Sequence, residues 1–200
     1  MPVAIVLLSG GIDSATALYW ALKQGYTVQA VTYNYRGRAS REAEAARKIA
    51  RHAGVGQREV ELPFMQTAAG IMRENPSAFN GVNVPEGYVP TRNLVFYALG
   101  AYYAEVYGAS CIVGGHLVTD SIEFPDATPG FFQGLEQLIN STRLGDASNG
   151  LNKARLLMPF LDKDKAEVVK MAYELGAPLE LTWSCFYDLE EQCGRCGTCL

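Results

Sequence analysis

The sequence predicts an α/β protein with a doubly wound parallel sheet, and three of its features do so. Short apolar runs rich in β-branched residues alternate with longer segments of helical spacing, the first run passes through a glycine turn straight into a helix, and a later run also ends in paired glycines. Sheets of this kind hold their ligands in the crevice at the carboxyl ends of the strands. Both glycine turns fall at that edge.

Val3 to Leu8, VAIVLL, is short, apolar and partly β-branched, as a strand buried on both faces should be. Ser9, Gly10, Gly11, Ile12, Asp13 and Ser14 follow, and ATALYWALKQG then places apolar residues at helical spacing with Gly25 as the stop. The first turn of a helix leaves amides unpaired and carries about half a positive charge, so anions collect there. Gly10 and Gly11 let phosphate oxygens approach the main chain, and the Ser9 and Ser14 hydroxyls add donors. An ordinary tight turn capped by Asp13 or Ser14 is the plain alternative. No lysine follows the glycines, so the motif is neither G-x-x-x-x-G-K-[ST] nor G-x-G-x-x-G.

Thr27 to Tyr35 alternates like a strand, Ser40 to Gly54 has helical spacing with Ser40 as the capping residue, and REVELPF at 58–64 reads as a third strand. Residues 65–90 carry ENPSAFNGVNVPEGYVP and no clear period, which predicts a long irregular loop in the position of a lid. Arg92 to Gly108 is an apolar, Tyr-rich helix pattern. ASCIVGGH at 109–116 is a fourth strand, whose glycine end brings Asp120 and EFPDATPGFF towards the same crevice. Leu156 to Phe160 gives a short strand and Lys163 to Leu175 a helix, with Asp162 or Asp164 as its cap. Arg36, Arg38 and Arg41 lie just past the second strand, where guanidinium forks can grip phosphate or carboxylate unless they are simply solvated.

Two hundred residues with 48% hydrophobic composition suffice for one core. A net charge of −4 supplies no basic excess for a phosphate backbone, which argues against nucleic acid as a partner. No apolar run reaches the roughly 18 residues of a membrane span, and the reading is a soluble cytoplasmic protein. Four of five cysteines crowd into the last sixteen residues. Cys185, Cys193, Cys196 and Cys199 have the spacing C-x7-C-x2-C-x2-C, which suits four thiolates around one ion. Tetrahedral zinc is favoured, an iron–sulfur cluster uses related spacing, and disulfides are a third option. Four thiolates leave zinc no place for water, so the ion would be structural, stapling a tail at 182–200 onto a domain at 1–181. Cys111, inside a strand, reads as a buried small hydrophobe.

The string Ser-Gly-Gly-x-Asp-Ser after a strand resembles the pyrophosphate loop, or PP-loop, of the ATP pyrophosphatase superfamily. With VPTRN at 89–93, PD at 125–126 and TWSC…CGRCGTC at 182–199, nearly the whole chain resembles the QueC family of 7-cyano-7-deazaguanine synthases. The resemblance implies an adenine nucleotide alpha hydrolase-like fold. It also implies an ATP-dependent ligase that adenylates 7-carboxy-7-deazaguanine, forms the amide with ammonia and activates the amide oxygen for dehydration. Zinc, magnesium and a homodimer go with it. Its catalytic residues would be Ser9, Asp13, Ser14, Arg92 and Asp120, with Asp13 and Asp120 as candidate magnesium ligands. ATP would meet Leu8 and Ile12 beside Ser9, Gly10, Gly11, Asp13 and Ser14, together with Tyr33 and Arg36. The deazapurine would meet Arg92, Asn93, Phe124, Asp126 and Phe131, the Asp126 carboxylate accepting the two adjacent N–H donors of a guanine-like base.

The chain also departs from the family pattern. Where Ser-Gly-Tyr-Pro-Asp-Cys-Arg-Pro-Glu-Phe is expected, it has Ile122, Glu123, Phe124, Pro125, Asp126, Ala127, Thr128, Pro129, Gly130 and Phe131. The Cys-Arg pair is gone. His116 stands where the family's Asn is expected, the Gln-Arg element is altered to RGR, and the chain stops at Leu200. Three alternatives therefore stay open: an enzyme that passes the adenylated carboxylate to another amine and stops at the amide, a tRNA-modifying PP-loop enzyme, which the acidic charge disfavours, and a non-catalytic nucleotide sensor with a zinc tail.

Overall fold

The computed structural model describes residues 1–85, 87–143 and 153–199. Its sheet has five strands, β1 (Val3–Leu7), β2 (Thr27–Arg36), β3 (Gly56–Gln66), β4 (Cys111–Val113) and β5 (Arg155–Leu157), in the order β3-β2-β1-β4-β5. Every neighbouring pair is parallel. The seven α-helices among the described residues are α1 (Ile12–Lys23), α2 (Ser40–His52), α3 (Ala68–Glu74), α4 (Arg92–Val106), α5 (Asp120–Glu123), α6 (Pro129–Thr142) and α7 (Lys165–Leu175).

Strand β1 lies in the middle of the sheet, and its two sets of alternate residues face two different cores. Ala4, Val6 and Leu8 pack with Leu18 and Ala21 of α1, Ile49 of α2 and Val168 of α7, whereas Ile5 packs with Tyr97 of α4, Ile112 of β4 and Phe132 of α6. Burial on both faces is why the run is apolar without alternation. The chain leaves β1 towards β2 on one side and returns through β4 on the other, so the topological switch point lies between the carboxyl ends of β1 and β4. Both glycine turns meet there.

The structure corrects several local expectations. β3 is longer than read and β5 ends at Leu157, short of Phe160. The stretch 65–90 is not irregular throughout: α3 forms within it, started by Thr67, whose hydroxyl accepts from the Gly70 amide at 3.3 Å. Glu86 of that stretch, and Leu200, lie outside the described residues. Helix α6 escaped the sequence reading, although Thr128 as cap, Pro129 in the first turn and the apolar spacing Phe132, Leu135, Ile139 all announce it. Asp164, not Asp162, caps α7, in a reciprocal box with Glu167. Ser40 does not cap α2. It is the first helical residue, the preceding Ala39 offers no side-chain acceptor, and the carboxylate that meets the free amides comes from Asp188 in the cysteine tail. No described helix is long and apolar enough to cross a membrane.

Candidate active site

The turn after β1 is held by its own serines. Ser14 Oγ accepts from the Ser9 and Gly10 amides at 3.1 and 3.2 Å and donates to the Gly11 carbonyl at 3.0 Å, while Ser9 Oγ accepts from the Gly11 amide at 3.3 Å. These contacts sit at the long end of the normal range. The amides of Ile12 and Asp13 donate to no described residue, as the start of a helix requires.

The two glycines serve different ends. Gly10 has φ +103°, and a Cβ on it would lie 2.1 Å from the Glu42 carbonyl oxygen and 2.8 Å from the Ala46 nitrogen, so this glycine exists for the close passage of α2. Gly11 has φ −79°, and a Cβ there would meet only Ser9 Oγ at 3.6 Å and the Trp183 carbonyl oxygen at 3.7 Å. Gly11 is therefore not required by packing. Against the sequence expectation, Gly10, Gly11 and Ile12 do not line the adjoining cavity, and both glycine amides are already donated to the Ser14 and Ser9 hydroxyls. Across the switch point Gly115 is equally constrained, because its Cβ would come 2.6 Å from the Asp13 carbonyl oxygen.

A cavity of about 350 Å3 opens at this edge, lined by Leu8, Ser9, Asp13, Ser14, Tyr33, Arg92, Asn93 and Asp120 among the residues picked out in the sequence. Asp13 is 28% exposed, and the Lys165 ammonium at the start of α7 donates to both its oxygens at 2.7 and 2.8 Å. Burial nevertheless lifts the Asp13 carboxyl above its ordinary range, against the pull of Lys165. Asp120 accepts from the Leu117 amide at 2.9 Å and faces His116 Nδ1 at 3.6 Å. Burial alone would raise its carboxyl, but His116, the Leu117 amide and the charge of Arg92 together hold it below the usual value. His116 also lines the cavity, its ring 5.8 Å from that of Tyr97 and 5.0 Å from that of Phe132, which themselves stand 5.2 Å apart. Tyr33 donates to the Phe96 carbonyl at 2.9 Å and stacks on the Phe96 ring at 4.5 Å, and its burial keeps the phenol neutral.

Other candidates lie elsewhere. Arg36 is 60% exposed and paired with Glu74 at 3.1 Å, outside the cavity lining. Its neighbour Arg38 takes the inward place: only 4% exposed, it donates to Glu42 and to Asn34 Oδ1 at 2.9 Å, to the Tyr33 carbonyl at 2.6 Å and to the Ser9 carbonyl. In strand β2 the pleat alternates sides, but Arg38 lies beyond its end, where only the turn at Gly37 (φ +89°) decides the direction. Asp126 does not line the cavity either. Its carboxylate accepts from the Asn93 amide at 3.0 Å and its carbonyl from Asn93 Nδ2 at 2.9 Å, so it caps α4. Phe131 packs on Phe132 at 5.3 Å, and Phe124 lies parallel to Tyr88 at 6.4 Å with the Arg92 guanidinium 6.0 Å above it. Thr128, in the place of the expected arginine, caps α6 by accepting from the Phe131 amide at 3.2 Å.

One wall of the cavity comes from the cysteine tail. Ser184, Cys185, Phe186 and Thr198 line the cavity, and the Trp183 amide donates to the Gly10 carbonyl at 2.9 Å. The sulfurs of Cys185, Cys193, Cys196 and Cys199 lie within 4.8 Å of one another, with separations of 3.4 Å for 196–199, 3.9 Å for 193–199 and 4.0 Å for 185–196. Four thiolates about 2.3 Å from one tetrahedral ion stand about 3.8 Å apart, so the cluster fits a four-cysteine metal site. Cys111 is buried, and burial pushes its thiol up, away from reactivity.

The profile of the family described as Queuosine biosynthesis protein QueC matches residues 3–200. The chain belongs to the QueC family. The QueC chain is 34% identical over 204 residues to the 7-cyano-7-deazaguanine synthase of Thermoplasma acidophilum, covering 98% of this chain and 84% of that protein. Against the 7-cyano-7-deazaguanine synthase of Synechococcus elongatus it is 36% identical over 206 residues, covering 100% and 88%. Among solved structures it resembles a 4-thiouridine synthetase in complex with RNA and bound ATP, at TM-score 0.57 and 22% identity, over 96% of this chain and 44% of that one. A predicted subunit of tRNA methyltransferase from Methanocaldococcus jannaschii gives TM-score 0.57 at 18% identity, over 87% and 76%. The QueC chain thus has the α/β fold of the PP-loop ATP pyrophosphatases.

Proposed function

We propose that this chain is an ATP-dependent carbon–nitrogen ligase of the cytoplasm. It adenylates 7-carboxy-7-deazaguanine, forms the amide with ammonia and dehydrates the amide to 7-cyano-7-deazaguanine. One observation carries the reading: in a chain matched by the QueC family from residue 3 to 200, Ser9, Asp13, Ser14, Arg92 and Asp120 converge on one cavity at the switch point.

A carboxylate is a poor electrophile because its oxygen will not leave, whereas its mixed anhydride with AMP has a good leaving group. Attack by ammonia forms the C–N bond as the C–O bond to AMP breaks. A second ATP adenylates the amide oxygen, which departs with AMP as the nitrogen loses its protons and the nitrile forms. The free amides at the start of α1 and the Ser9 hydroxyl are set to bind the departing pyrophosphate, the Ser14 hydroxyl holds the loop in shape by donating to the Gly11 carbonyl, and Lys165 adds a positive charge beside Asp13. Arg92 faces the same cavity and suits the substrate carboxylate. Asp13 and Asp120 are hard oxygen donors that fit magnesium, and Asp13 already holds a cationic partner in Lys165. Bound magnesium would neutralise polyphosphate charge.

The cysteine cluster, in this reading, holds zinc with no open position, and residues 182–200 are a structural segment packed on 1–181. The partners are small molecules, with no role for nucleic acid or membrane. Two copies associate, and the exposed Leu94, Tyr102 and Val106 on one side of α4 offer a face for this.

Product mass after incubation with ATP, magnesium and 7-carboxy-7-deazaguanine, with and without ammonium, tests the proposal. The nitrile, lighter than the amide by one water, is expected. Tight ATP binding with no pyrophosphate release when the carboxylate is added rejects the ligase and leaves a nucleotide sensor. A second reading, an enzyme that stops at the amide or transfers to another amine, is favoured by Ala127 and Thr128. Ala127 is buried, Thr128 is committed to capping α6, and neither supplies a guanidinium. An amide or conjugate as the final product selects it.

A further inference from the structure

The cysteine tail is joined to the phosphate loop by more than one route. Directly, the Trp183 amide donates to the Gly10 carbonyl at 2.9 Å. Indirectly, Asp188, three residues beyond Cys185, lays its carboxylate on the first turn of α2, accepting from the Ser40 amide at 3.1 Å and the Arg41 amide at 3.0 Å. A helix start leaves such amides without partners, and Ala39 has no side chain to serve them. Helix α2 is also what the loop rests on. The Glu42 carbonyl is the group that forbids a side chain on Gly10, and the Glu42 carboxylate holds Arg38, whose guanidinium donates to the Ser9 carbonyl. A continuous series of contacts therefore runs from the cysteines through Asp188, the start of α2 and Arg38 to Ser9.

We propose that Asp188 is a positioning residue that couples metal loading of the cysteine cluster to the nucleotide affinity of the Ser9–Ser14 loop. This rests on the reading that the loop takes the phosphates of ATP. A metal shared by Cys185, Cys193, Cys196 and Cys199 fixes the segment from which Asp188 projects, so the cap on α2 forms without a further ordering cost. With the segment loosened, α2 loses that cap, the Glu42–Arg38–Ser9 contacts lose their fixed support, and the loop spends less time in its binding geometry. Linkage makes the effect reciprocal: nucleotide must tighten the metal by the same factor by which the metal tightens nucleotide. A staple that acted on global stability alone would change neither affinity in the folded protein.

The test uses the full chain loaded with zinc, its magnesium-dependent affinity for a non-hydrolysable ATP analogue measured by calorimetry, and its zinc affinity measured by equilibrium competition with a chromogenic chelator. Asp188→Ala is expected to keep one zinc per chain but to bind the analogue about 3- to 10-fold more weakly, the range to which loss of an N-cap converts. Asp188→Asn, which can still cap, is expected within about twofold of the parent. Saturating analogue should raise zinc affinity several-fold in the parent and little in Asp188→Ala. Equal analogue affinity in parent and zinc-loaded Asp188→Ala overturns the coupling, as does a parent whose zinc affinity ignores the analogue. A zinc-loaded parent that binds no analogue overturns the functional reading itself, and the coupling with it.

Discussion

Lys165 Nζ stands 2.7 and 2.8 Å from the two carboxylate oxygens of Asp13, which ties the first turn of α7 to the first turn of α1. The pair is partly exposed, and exposed pairs stabilise folds little. Its weight should fall on the reaction. Lys165→Met is expected to lower kcat/KM for ATP by about 10- to 100-fold, the worth of a hydrogen bond to a charged group, while the melting temperature moves by only a few degrees. Steady-state pyrophosphate release and a thermal melt on the same variant decide it, and an unchanged kcat/KM removes Lys165 from the chemistry.

The two loop glycines should separate stability from binding. Gly10→Ala forces a side chain into the α2 backbone at a left-handed φ and is expected to cost about 2–5 kcal/mol, from strain and overpacking together. Gly11→Ala meets nothing closer than 3.6 Å and should fold with a near-parental melting temperature. If phosphate approaches the main chain there, its KM for ATP rises sharply. A Gly11→Ala enzyme with parental KM places the phosphates elsewhere.

Asp120 gives stability a sign with pH. Its carboxyl is held below the ordinary aspartate value, so just below that value the unfolded chain binds a proton that the folded protein refuses. The contribution is full at neutral pH and is lost as pH falls through the lowered value. The melting-temperature gap between the parent and Asp120→Asn should therefore be open at pH 7 and close below about pH 4. A gap that persists into acid assigns the effect to packing.

Asp126 caps α4 through the Asn93 amide, so Asp126→Ala is expected to cost about 1 kcal/mol of stability. Because Asp126 lies outside the cavity lining and reaches the site only through α4, whose Arg92 faces the cavity, the substitution should weaken deazapurine binding by less than about fivefold and leave ATP binding unchanged. Calorimetry with each ligand checks this, and a deazapurine loss of about a hundredfold restores the direct contact suggested by sequence.

Removing metal with a chelator should leave a colourless eluate containing zinc at one equivalent per chain and a tail whose Trp183 amide exchanges faster with solvent. Brown protein with visible absorption would instead mean an iron–sulfur cluster.

Much of this was legible in residue order alone. Unbroken apolar runs gave the central strands because both faces of β1 are covered, and the glycine turns marked the switch point because only they allow backbones to pass as closely as Gly10 and Glu42, or Gly115 and Asp13. What escaped was set by contacts distant in sequence. Nothing local says that Arg38 turns inward while Arg36 turns out, that Asp126 spends its carboxylate on α4, or that Asp188 caps a helix that begins 148 residues earlier. Phe186 and Ser184 were hidden for another reason: their segment announced itself so strongly as a metal site that its role as a cavity wall left no separate signature.

The central place of β1 also bears on how the chain is made. Its edge towards β2 can pair as soon as residues 27–36 leave the ribosome, but the opposite edge waits for Cys111–Val113. During that interval an apolar strand presents a row of unsatisfied main-chain groups. Nascent chains halted before residue 111 should therefore be the ones that chaperones hold and that clump when released.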